Sequence, residues 1–479
     1  MAKEIIEQSY DWLVIFLIYN NNYYDLNRQD TKDYYTMDEQ TSYIRNQIRY
    51  TRYNKKVKTI LVELKIENTK ENDEIVLINA SISMLYKKKG IWLSAVDGIW
   101  RETVPPDGMT SPESLIDILS FLKKRYNADK HMLITAGHGS ITGINYYLLS
   151  KRESTRNKQT NKLLLLEGKK SAKDKDKPVA LPLNGFTENL LFLSNKEIND
   201  AVKEVWGGTK IDVLVMYNCL MQSLLTQFEF KDTVDWLVAP LSGISIPGFN
   251  YGSILDEISL NSVITGKEIS ELFMKSVRAG NSYTLHREDI EGTWKLSATQ
   301  INKEWLGAIQ EDFENLFKEI NTYSITNGNT IATLSGLLRY LFSYSNHCSP
   351  PVQLFDVGSF LNSLKEKFEN KPGVNNLLIA INKLSDTLDN NMQTQFNFEG
   401  GNFYKIKNLS YYENNSINLR KIKNVSFFFP IEKPGLSIFD PVFDETLDNF
   451  SKLENPQFIS LHYKKILNKL HKLMPLSIG

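Results

Sequence analysis

Two short apolar runs in this chain each lead to a residue that can do covalent chemistry, one an imidazole and the other a thiol. His138 follows the run 131–137, and Cys219 follows the run 211–218. Each run predicts a buried strand, and in an open parallel sheet the carboxyl ends of the strands form the crevice where ligands bind. If the two strands are neighbours, the pair has the arrangement of a cysteine nucleophile and its general base.

The residues beside this pair suggest further roles in the same chemistry. A thiol attacks as the thiolate, and a nearby imidazole both lowers the thiol pKa and returns a proton to a leaving amine. Gly139 has no side chain, so a carbonyl group can approach its backbone closely. Its N–H, with that of Cys219, could form an oxyanion hole. Tyr217, two residues before the thiol, and Ser242, after a predicted strand at 236–239, are candidate substrate-binding residues.

The elements that would position these residues alternate between strands and helices. Helical spacing predicts a helix over 112–126, and Ser194 with Glu197 predicts a capping box at the start of another helix, which Gly207 ends. This alternation is typical of a parallel α/β sheet with helices on both faces, and we predict such a domain over residues 1–265. Short runs rich in Val, Ile and Leu predict its strands at 12–19, 59–65, 74–80, 132–136, 213–216 and 236–239.

Beyond residue 265 the pattern changes to amphipathic helices. A strand is predicted at 425–429, which Pro430 ends. We therefore predict a mostly helical C-terminal region with one late strand over residues 266–479, packed on the first domain. Its helices are predicted at 268–277, 305–320, 330–342, 357–368, 375–388 and 461–473.

The segment 151–180 interrupts the α/β pattern between the histidine and the cysteine. Apart from the run 163–166 it is rich in Lys, Asn, Ser and Asp, and it cannot bury enough apolar area to offset the entropy of ordering it. We predict a mobile, basic surface loop that is open to cleavage. A solvated insertion without a role is the alternative.

Charge, apolar stretches and cysteine count limit the kinds of partner and the cellular compartment that the sequence predicts. The chain has 56 basic and 56 acidic residues, so its charge predicts neither a nucleic acid nor a membrane partner. The longest early apolar stretch, 12–19, is far shorter than the roughly 20 residues that span a bilayer. Residues 1–8 contain no apolar run, so the sequence as written predicts a cytoplasmic protein, or a secreted one if a signal peptide was removed. Two cysteines, Cys219 and Cys348, cannot form a disulfide framework.

The remaining histidines and cysteine predict neither a second site nor a cofactor. His347 and Cys348 are adjacent and so point in different directions, and we predict a structural role for the cysteine. We predict that four other histidines lie at the surface or at an interface, because none is clustered with another His or Cys at the spacing of metal ligands. These are His131, His286, His462 and His471. No cofactor is predicted, and a calcium dependence is not readable from the sequence.

Taken in order along the chain, these segments resemble the clostripain-like cysteine peptidases. The strongest matches are Gly-His-Gly at 137–139 and Asn-Cys-Leu-Met at 218–221, each after an apolar strand. Three further segments are similar. Residues 12–19 resemble the family's opening strand, residues 235–251 resemble the segment after its cysteine, and residues 427–430 resemble its late strand that ends in Pro.

The resemblance implies a fold, an activity and roles for individual residues. The family has a caspase-like α/β/α sandwich and cleaves proteins or peptides through an acyl-enzyme. Carried over, Cys219 is the nucleophile, His138 the general base and acid, and Gly139 an oxyanion donor through its backbone. In the family, cleavage between the histidine and cysteine segments can convert a precursor into a two-chain enzyme, which implies activation by cleavage at 151–180. Because the sequence as written begins without a signal peptide, activation by a protein partner is the other expectation.

One position departs from the family pattern. The family commonly has an acidic residue two positions before the nucleophile, in a pocket that selects Arg or Lys, and here that residue is Tyr217. Because a buried carboxylate is what makes a pocket prefer a long cation, the simplest basis for basic specificity is lost. Asp212 and Asp232 are nearby in sequence, but nothing in the sequence shows that either points into the pocket. Cleavage after Arg or Lys and cleavage after an apolar or small polar residue both stay open.

Two other classes of function are alternatives to a peptidase. A catalytically inactive interaction module with a caspase-like fold would bind a partner through the helical second half. Retention of both His138 and Cys219 speaks against it, while Tyr217 speaks for it. A different α/β hydrolase or a nucleotide-binding protein has little support, because the sequence contains no Gly-x-Ser-x-Gly elbow, Walker A loop or Gly-x-Gly-x-x-Gly turn.

Overall fold

The computed structural model describes residues 9–21, 37–71, 74–88, 91–94, 112–148, 179–180, 190–241, 249–280, 294–341, 354–390, 395–400, 425–429 and 461–473. Its strands are β1 (Tyr10–Asn21), β2 (Val57–Glu71), β3 (Glu74–Lys88), β4 (Ile91–Ser94), β5 (Ala128–Ala136), β6 (Gly139–Ser140), β7 (Gly143–Leu148), β8 (Val179–Ala180), β9 (Leu190–Ser194), β10 (Ile211–Tyr217), β11 (Val234–Pro240), β12 (Trp294–Gln300), β13 (Leu354–Asp356), β14 (Gln395–Gly400) and β15 (Ser426–Phe428). Its helices are α1 (Met37–Arg49), α2 (Pro112–Arg125), α3 (Asn195–Trp206), α4 (Leu224–Glu229), α5 (Tyr251–Leu260), α6 (Gly266–Gly280), α7 (Lys303–Thr326), α8 (Thr330–Tyr340), α9 (Val357–Phe368), α10 (Asn375–Asn390) and α11 (Leu461–Leu473).

A central sheet of the described strands has the order β14-β12-β11-β10-β5-β1-β2-β3-β4, and β8 also pairs with β3. The five strands from β11 to β2 are parallel to one another. Antiparallel strands continue the sheet on both sides of this centre. The predicted α/β fold with a largely parallel central sheet is confirmed.

The sheet is covered by helices on both faces, which gives it one apolar core on each side. Successive strand residues point to opposite faces, and β1 illustrates this: Leu13 and Ile15 enter one core, while Val14 and Phe16 enter the other. Helices α2, α3, α7, α9 and α10 contribute to the first core, and α1, α5 and α6 to the second. A central strand buried on both faces needs a continuous apolar run, which is why these strands were readable from the sequence.

The predicted start and end of α3 are confirmed by its capping groups. The Ser194 side chain accepts a hydrogen bond from the Glu197 backbone N–H, and the Glu197 carboxylate accepts one from the Ser194 backbone N–H. Gly207 ends the helix in the left-handed conformation, at φ 61°. Such reciprocal bonds satisfy N–H groups that a helix start leaves unpaired.

The C-terminal region contains the predicted helices, but it also extends the central sheet. Strand β12 pairs with β11, and β14 pairs with β12, so the sheet continues past residue 265. The sequence did not predict these two strands. The late strand β15 is confirmed, and it pairs with β13, where Leu354 faces Phe428. The domain boundary at residue 265 stays a prediction.

Several predicted features fall outside the part of the chain that the structure describes. Of the basic loop 151–180, only the two residues of β8 are described, so its mobility and its cleavage stay predictions. Cys348 and Ser242 also lie outside the described residues. None of the helices in the described ranges is long and apolar enough to cross a membrane.

Candidate active site

The histidine and the cysteine lie beyond the carboxyl ends of two neighbouring parallel strands. Strands β5 and β10 pair in a register that sets Ala136 opposite Tyr217 as the last pair. His138 and Cys219 are each the second residue beyond that pair. The structure thereby brings both to the same edge of the sheet, as the spacing of the two apolar runs predicted.

The two glycines that flank His138 lie where a side chain would collide with another strand end. A Cβ on Gly139 would be 2.6 Å from the Asn218 Cβ and 2.8 Å from the Cys219 carbonyl oxygen. Gly137 has a φ of +145°, and a Cβ there would be 3.0 Å from the Tyr19 Cβ. Only glycine allows such close approach. The histidine segment therefore packs directly on the backbone that carries the thiol.

Asn218, directly before the cysteine, is fully buried and links the two strand ends. Its Nδ2 donates to the Gly137 carbonyl oxygen at 3.0 Å and to the His138 carbonyl oxygen at 3.3 Å. The Thr135 hydroxyl donates to Asn218 Oδ1 at 2.6 Å. Sequence reasoning missed both side chains as site residues. A polar residue at the end of a buried apolar strand must find partners, and that was the signal available.

The cysteine lies in a loop with an unusual backbone. Cys219 is present as a half-buried thiol, and His138 is half-buried with its Nε2 shielded from solvent. Leu220, the next residue after the cysteine, has a φ of 64°, which a residue with a branched side chain adopts only at a cost. Strained backbone of this kind clusters at active sites.

The far end of the same loop is held by the C-terminal region. Gln222 is buried, and its backbone N–H donates to the Pro240 carbonyl oxygen at 2.8 Å. Its side-chain Nε2 donates to Thr299 Oγ1 in β12 at 2.8 Å. The Ser426 hydroxyl in β15 donates to the Gln222 carbonyl oxygen at 2.6 Å. The loop that carries the thiol is thus attached to two strands that follow it by 77 and 204 residues.

Tyr217 lies in an aromatic core beneath this edge. It is fully buried, and its ring centroid is 5.7 Å from that of Phe249 and 6.4 Å from that of Tyr251. Burial, with Tyr217 and Tyr43 nearby, raises the pKa of Tyr251 well above its ordinary value. The Tyr251 phenol is therefore uncharged around neutral pH. A contact of Tyr217 or Ser242 with substrate stays a prediction.

The two acidic residues near the cysteine in sequence lie at the opposite edge of the sheet. Asp212 is the second residue of β10, and its Oδ2 accepts from the His131 backbone N–H at 2.8 Å. Asp232 precedes β11 and pairs with Lys303 at 2.8 Å. A strand rises about 3.3 Å per residue, so the length of β10 separates both carboxylates from the thiol.

One histidine prediction was wrong, and no metal cluster was found in the described ranges. His131 is buried rather than at the surface, with its ring 5.4 Å from that of Trp206. Burial, helped by the nearby Lys123, lowers its pKa to about 4. Among the described residues no group of three or more His, Cys, Asp or Glu side chains could hold a metal ion.

Comparisons with known proteins give one family match and several distant structural neighbours. Residues 168–424, more than half of the chain, match the clostripain family, peptidase C11. That segment contains Cys219 and begins after His138. No curated protein sequence matches the chain.

The solved structures similar to this chain share little sequence with it. One is a secreted C11 cysteine protease from Bacteroides thetaiotaomicron, "iotapain", at 12% identity and a TM-score of 0.44, covering 81% of this chain and 87% of that one. Another is an inactive zymogen C11 protease from Parabacteroides distasonis, at 13% identity and a TM-score of 0.45, covering 96% and 98%. With TM-scores this low, the family match carries the assignment.

Proposed function

Because this chain is a cysteine peptidase of the clostripain family, we propose that it cleaves peptide bonds through a dyad of Cys219 and His138. Its substrates are peptides or proteins. The observation that carries the dyad is the register of β5 and β10, which ends both strands at one pair. The close approach of Gly139 to the Cys219 backbone supports the same assignment.

The proposed reaction proceeds in two halves. His138 accepts the proton from the Cys219 thiol, and the thiolate attacks the scissile carbonyl carbon. Backbone N–H groups of Gly139 and Cys219 stabilise the negative oxygen that forms. The imidazolium then returns the proton to the leaving amine, which leaves a thioester on Cys219. In the second half, His138 removes a proton from water, the hydroxide attacks the thioester, and Cys219 leaves as the thiolate. This chemistry requires no cofactor.

We propose that the residue before the cleaved bond is apolar or small and polar, and not Arg or Lys. At the position two residues before the nucleophile, a buried phenol in an aromatic core replaces a carboxylate. Asp212 and Asp232 lie at the other edge of the sheet and offer no substitute. We propose that Ser242 contacts the substrate, and that Tyr217 affects specificity from its buried position, because it places no carboxylate there.

The experiment that tests this function is covalent labelling with peptidyl electrophiles that differ in the residue before the reactive group. We expect Cys219 to be modified, as located by peptide mass spectrometry, fastest by an electrophile with an apolar or small polar residue. Cys219→Ala should abolish the modification and His138→Ala should slow it strongly, whereas Cys348→Ala, the matched cysteine control, should leave it unchanged.

Two results would contradict the proposal in different ways. Fastest labelling by an electrophile with Arg or Lys would overturn the specificity and leave the peptidase intact. If no electrophile modifies Cys219, with or without cell extract, the chain is instead a catalytically inactive interaction module.

We propose that cleavage within residues 151–180, or binding of a protein partner, activates the enzyme. The support is the position of this segment between His138 and Cys219 in the sequence, and its polar composition, which includes Ser and Asn residues and the apolar run 163–166 that the proposed specificity would accept. Intact masses of purified wild-type protein and Cys219→Ala distinguish self-cleavage from cleavage by another enzyme. We expect the wild-type protein to separate into two chains and the variant to stay whole. A wild-type protein that also stays in one chain would exclude self-processing.

A further inference from the structure

The side chain of Asn218 forms a hydrogen-bonded bridge from the nucleophile segment to the histidine segment. It contacts three of the four residues that lead into and include the histidine: Thr135, Gly137 and His138. It does so from the position next to Cys219 in the chain. One buried side chain therefore connects the backbones that carry the imidazole and the thiol.

The chemistry of the partners determines how the amide is oriented. The carbonyl oxygens of Gly137 and His138 can only accept hydrogen bonds, so they require the Nδ2 end of the amide. The Thr135 hydroxyl then meets Oδ1 and must donate to it. Both ends of the Asn218 amide are thus assigned by their partners. Thr135 is itself fully buried on β5, so it holds this orientation from within the sheet.

The histidine segment lies beyond the last residue pair of β5 and β10, where the pairing of the two strands ends. Residues 137 and 139 are glycines and contribute no side-chain packing. The backbone N–H of Gly137 donates to the Tyr217 carbonyl oxygen at 3.4 Å, a long hydrogen bond. Beyond the histidine, Gly139 pairs with Ile144 of β7 and not with β10. The two hydrogen bonds that the Asn218 side chain donates to this segment, at 3.0 and 3.3 Å, are shorter.

From these contacts we propose that Asn218, held by Thr135, is a positioning residue that sets the His138 segment at the distance from Cys219 that the reaction requires. It acts through the backbone and does not touch the substrate. The inference rests on the proposed dyad and adds a determinant of its geometry. A misplacement of about 1 Å between reacting groups can reduce a rate on the order of 100-fold.

The test measures the reactivity of Cys219 itself, so it requires no known substrate. The rate of alkylation of Cys219 by iodoacetamide is followed from pH 4 to 10 by peptide mass spectrometry, which separates this residue from Cys348. A free thiol gains reactivity around pH 8.5, and a thiol paired with an imidazole does so at lower pH. The midpoint of this curve therefore reports the pairing of the two groups and not the stability of the fold.

Three variants and a matched control separate positioning from general damage. Asn218→Ala removes the bridge, Thr135→Val removes only the hydroxyl that orients it, and Thr135→Ser retains that hydroxyl. The control is Thr233→Val, because the buried Thr233 hydroxyl likewise donates to an asparagine Oδ1, that of Asn199, at the opposite edge of the sheet. Urea unfolding of each protein gives its stability.

We expect Asn218→Ala and Thr135→Val to raise the alkylation midpoint by about one pH unit or more. They should also slow labelling by the best peptidyl electrophile by roughly 10- to 100-fold. Thr135→Ser and Thr233→Val should keep the wild-type midpoint, even where Thr233→Val lowers stability as much as Thr135→Val does.

The outcomes separate failure of this inference from failure of the proposed function. If wild-type Cys219 titrates as a free thiol and His138→Ala leaves its curve unchanged, there is no dyad. Both the proposed function and the positioning role are then overturned. If the wild type has a low midpoint that His138→Ala abolishes but Thr135→Val preserves, the positioning role alone is overturned. Thr135→Val decides the question even if Asn218→Ala does not fold.

Discussion

At the scale of single residues, the glycine after the histidine is constrained by its neighbours more than by its own conformation. The backbone at Gly139 meets both Asn218 and the Cys219 carbonyl group, so a methyl group has no space there. The same closeness is what would bring its N–H near the thiol. The close packing and the proposed oxyanion role therefore both require glycine at position 139.

We expect Gly139→Ala to reduce the rate of Cys219 labelling by about 100-fold or more, because the added methyl group pushes the histidine segment away from the thiol. Overpacking of this kind also costs about 1–3 kcal/mol of stability. The control is Gly307→Ala in α7, where a Cβ meets nothing within 4 Å. Gly307→Ala should leave the rate of Cys219 labelling unchanged. It should raise the free energy of unfolding by up to about 1 kcal/mol, because alanine has the higher helix propensity. If Gly139→Ala is labelled at the wild-type rate, the close packing at this position is contradicted.

The buried His131 predicts an acid sensitivity that is unrelated to catalysis. Its pKa falls from 6.5 to about 4 in the fold, so below pH 6.5 the unfolded chain binds a proton that the folded chain does not. The free energy of unfolding is unaffected by this group above pH 6.5. It decreases as the pH falls to about 4, by about 3 kcal/mol in total.

His131→Phe should remove that loss while it keeps an aromatic ring against Trp206. Urea denaturation between pH 7 and pH 4 measures the effect. We expect the stability of the variant, relative to the wild type, to increase as the pH falls through this range. Parallel pH profiles for the two proteins would show that His131 does not contribute.

At the scale of elements, the strand that holds the nucleophile loop comes from the far end of the chain. The hydroxyl of Ser426 in β15 donates to the Gln222 carbonyl oxygen, and both residues are buried. A strained residue, Leu220, lies between this anchor and the asparagine bridge. Support on both sides is what allows a loop to keep such a conformation.

Ser426→Ala should slow labelling of Cys219, because the loop loses its anchor. Leaving a buried carbonyl group unpaired costs about 1–3 kcal/mol. The matched control is Ser276→Ala in α6, where a buried hydroxyl also donates to a backbone carbonyl oxygen, that of Phe273. We expect the control to lose some stability and to label at the wild-type rate. Equal labelling rates in both variants would argue against an anchor in β15.

Some elements were predictable and others were not, for a physical reason that β12 and β14 illustrate. Strands buried on both faces, such as β1 and β10, carry apolar runs that are visible locally. Helix α3 carries its capping box in its own sequence. By contrast, β12 (WKLSATQ) and β14 (QFNFEG) are short and mix polar with apolar residues. Their pairing next to β11 defines them as strands, and strand preference depends strongly on such context.

At the scale of the whole molecule, the C-terminal region is part of the central sheet and part of its core. Strands β12 and β14 extend the sheet beyond β11, and helices α7, α9 and α10 cover one of its faces. Without them β11 would become an exposed edge, and edges with unpaired backbone groups promote aggregation. The peptidase site therefore depends on the region after residue 265 for its support.

We expect a chain truncated after residue 265 to aggregate or to unfold without cooperativity. Analytical ultracentrifugation and urea denaturation followed by circular dichroism measure this. The control is the full chain in which residues 151–178 are replaced by a short Gly-Ser linker, which leaves the sheet order intact and should fold. A soluble, cooperatively unfolding 1–265 fragment would instead establish an independent domain.

Local sequence alone predicts the central strands, most of the described helices, and the positions of His138 and Cys219 at two strand ends. These features are encoded in runs and spacings of neighbouring residues, so they can be read without knowing the rest of the fold. The resemblance to the clostripain family followed from the same local segments.

The tertiary structure is needed to know which strand ends meet and in what register. It also decided that Asn218 bridges them, that Tyr217 and His131 are buried, and that Ser426 reaches the nucleophile loop. Each of these is a contact between segments far apart in the chain. Such contacts depend on how the whole chain packs, because burial and hydrogen-bond partners are properties of the three-dimensional neighbourhood and not of the local sequence.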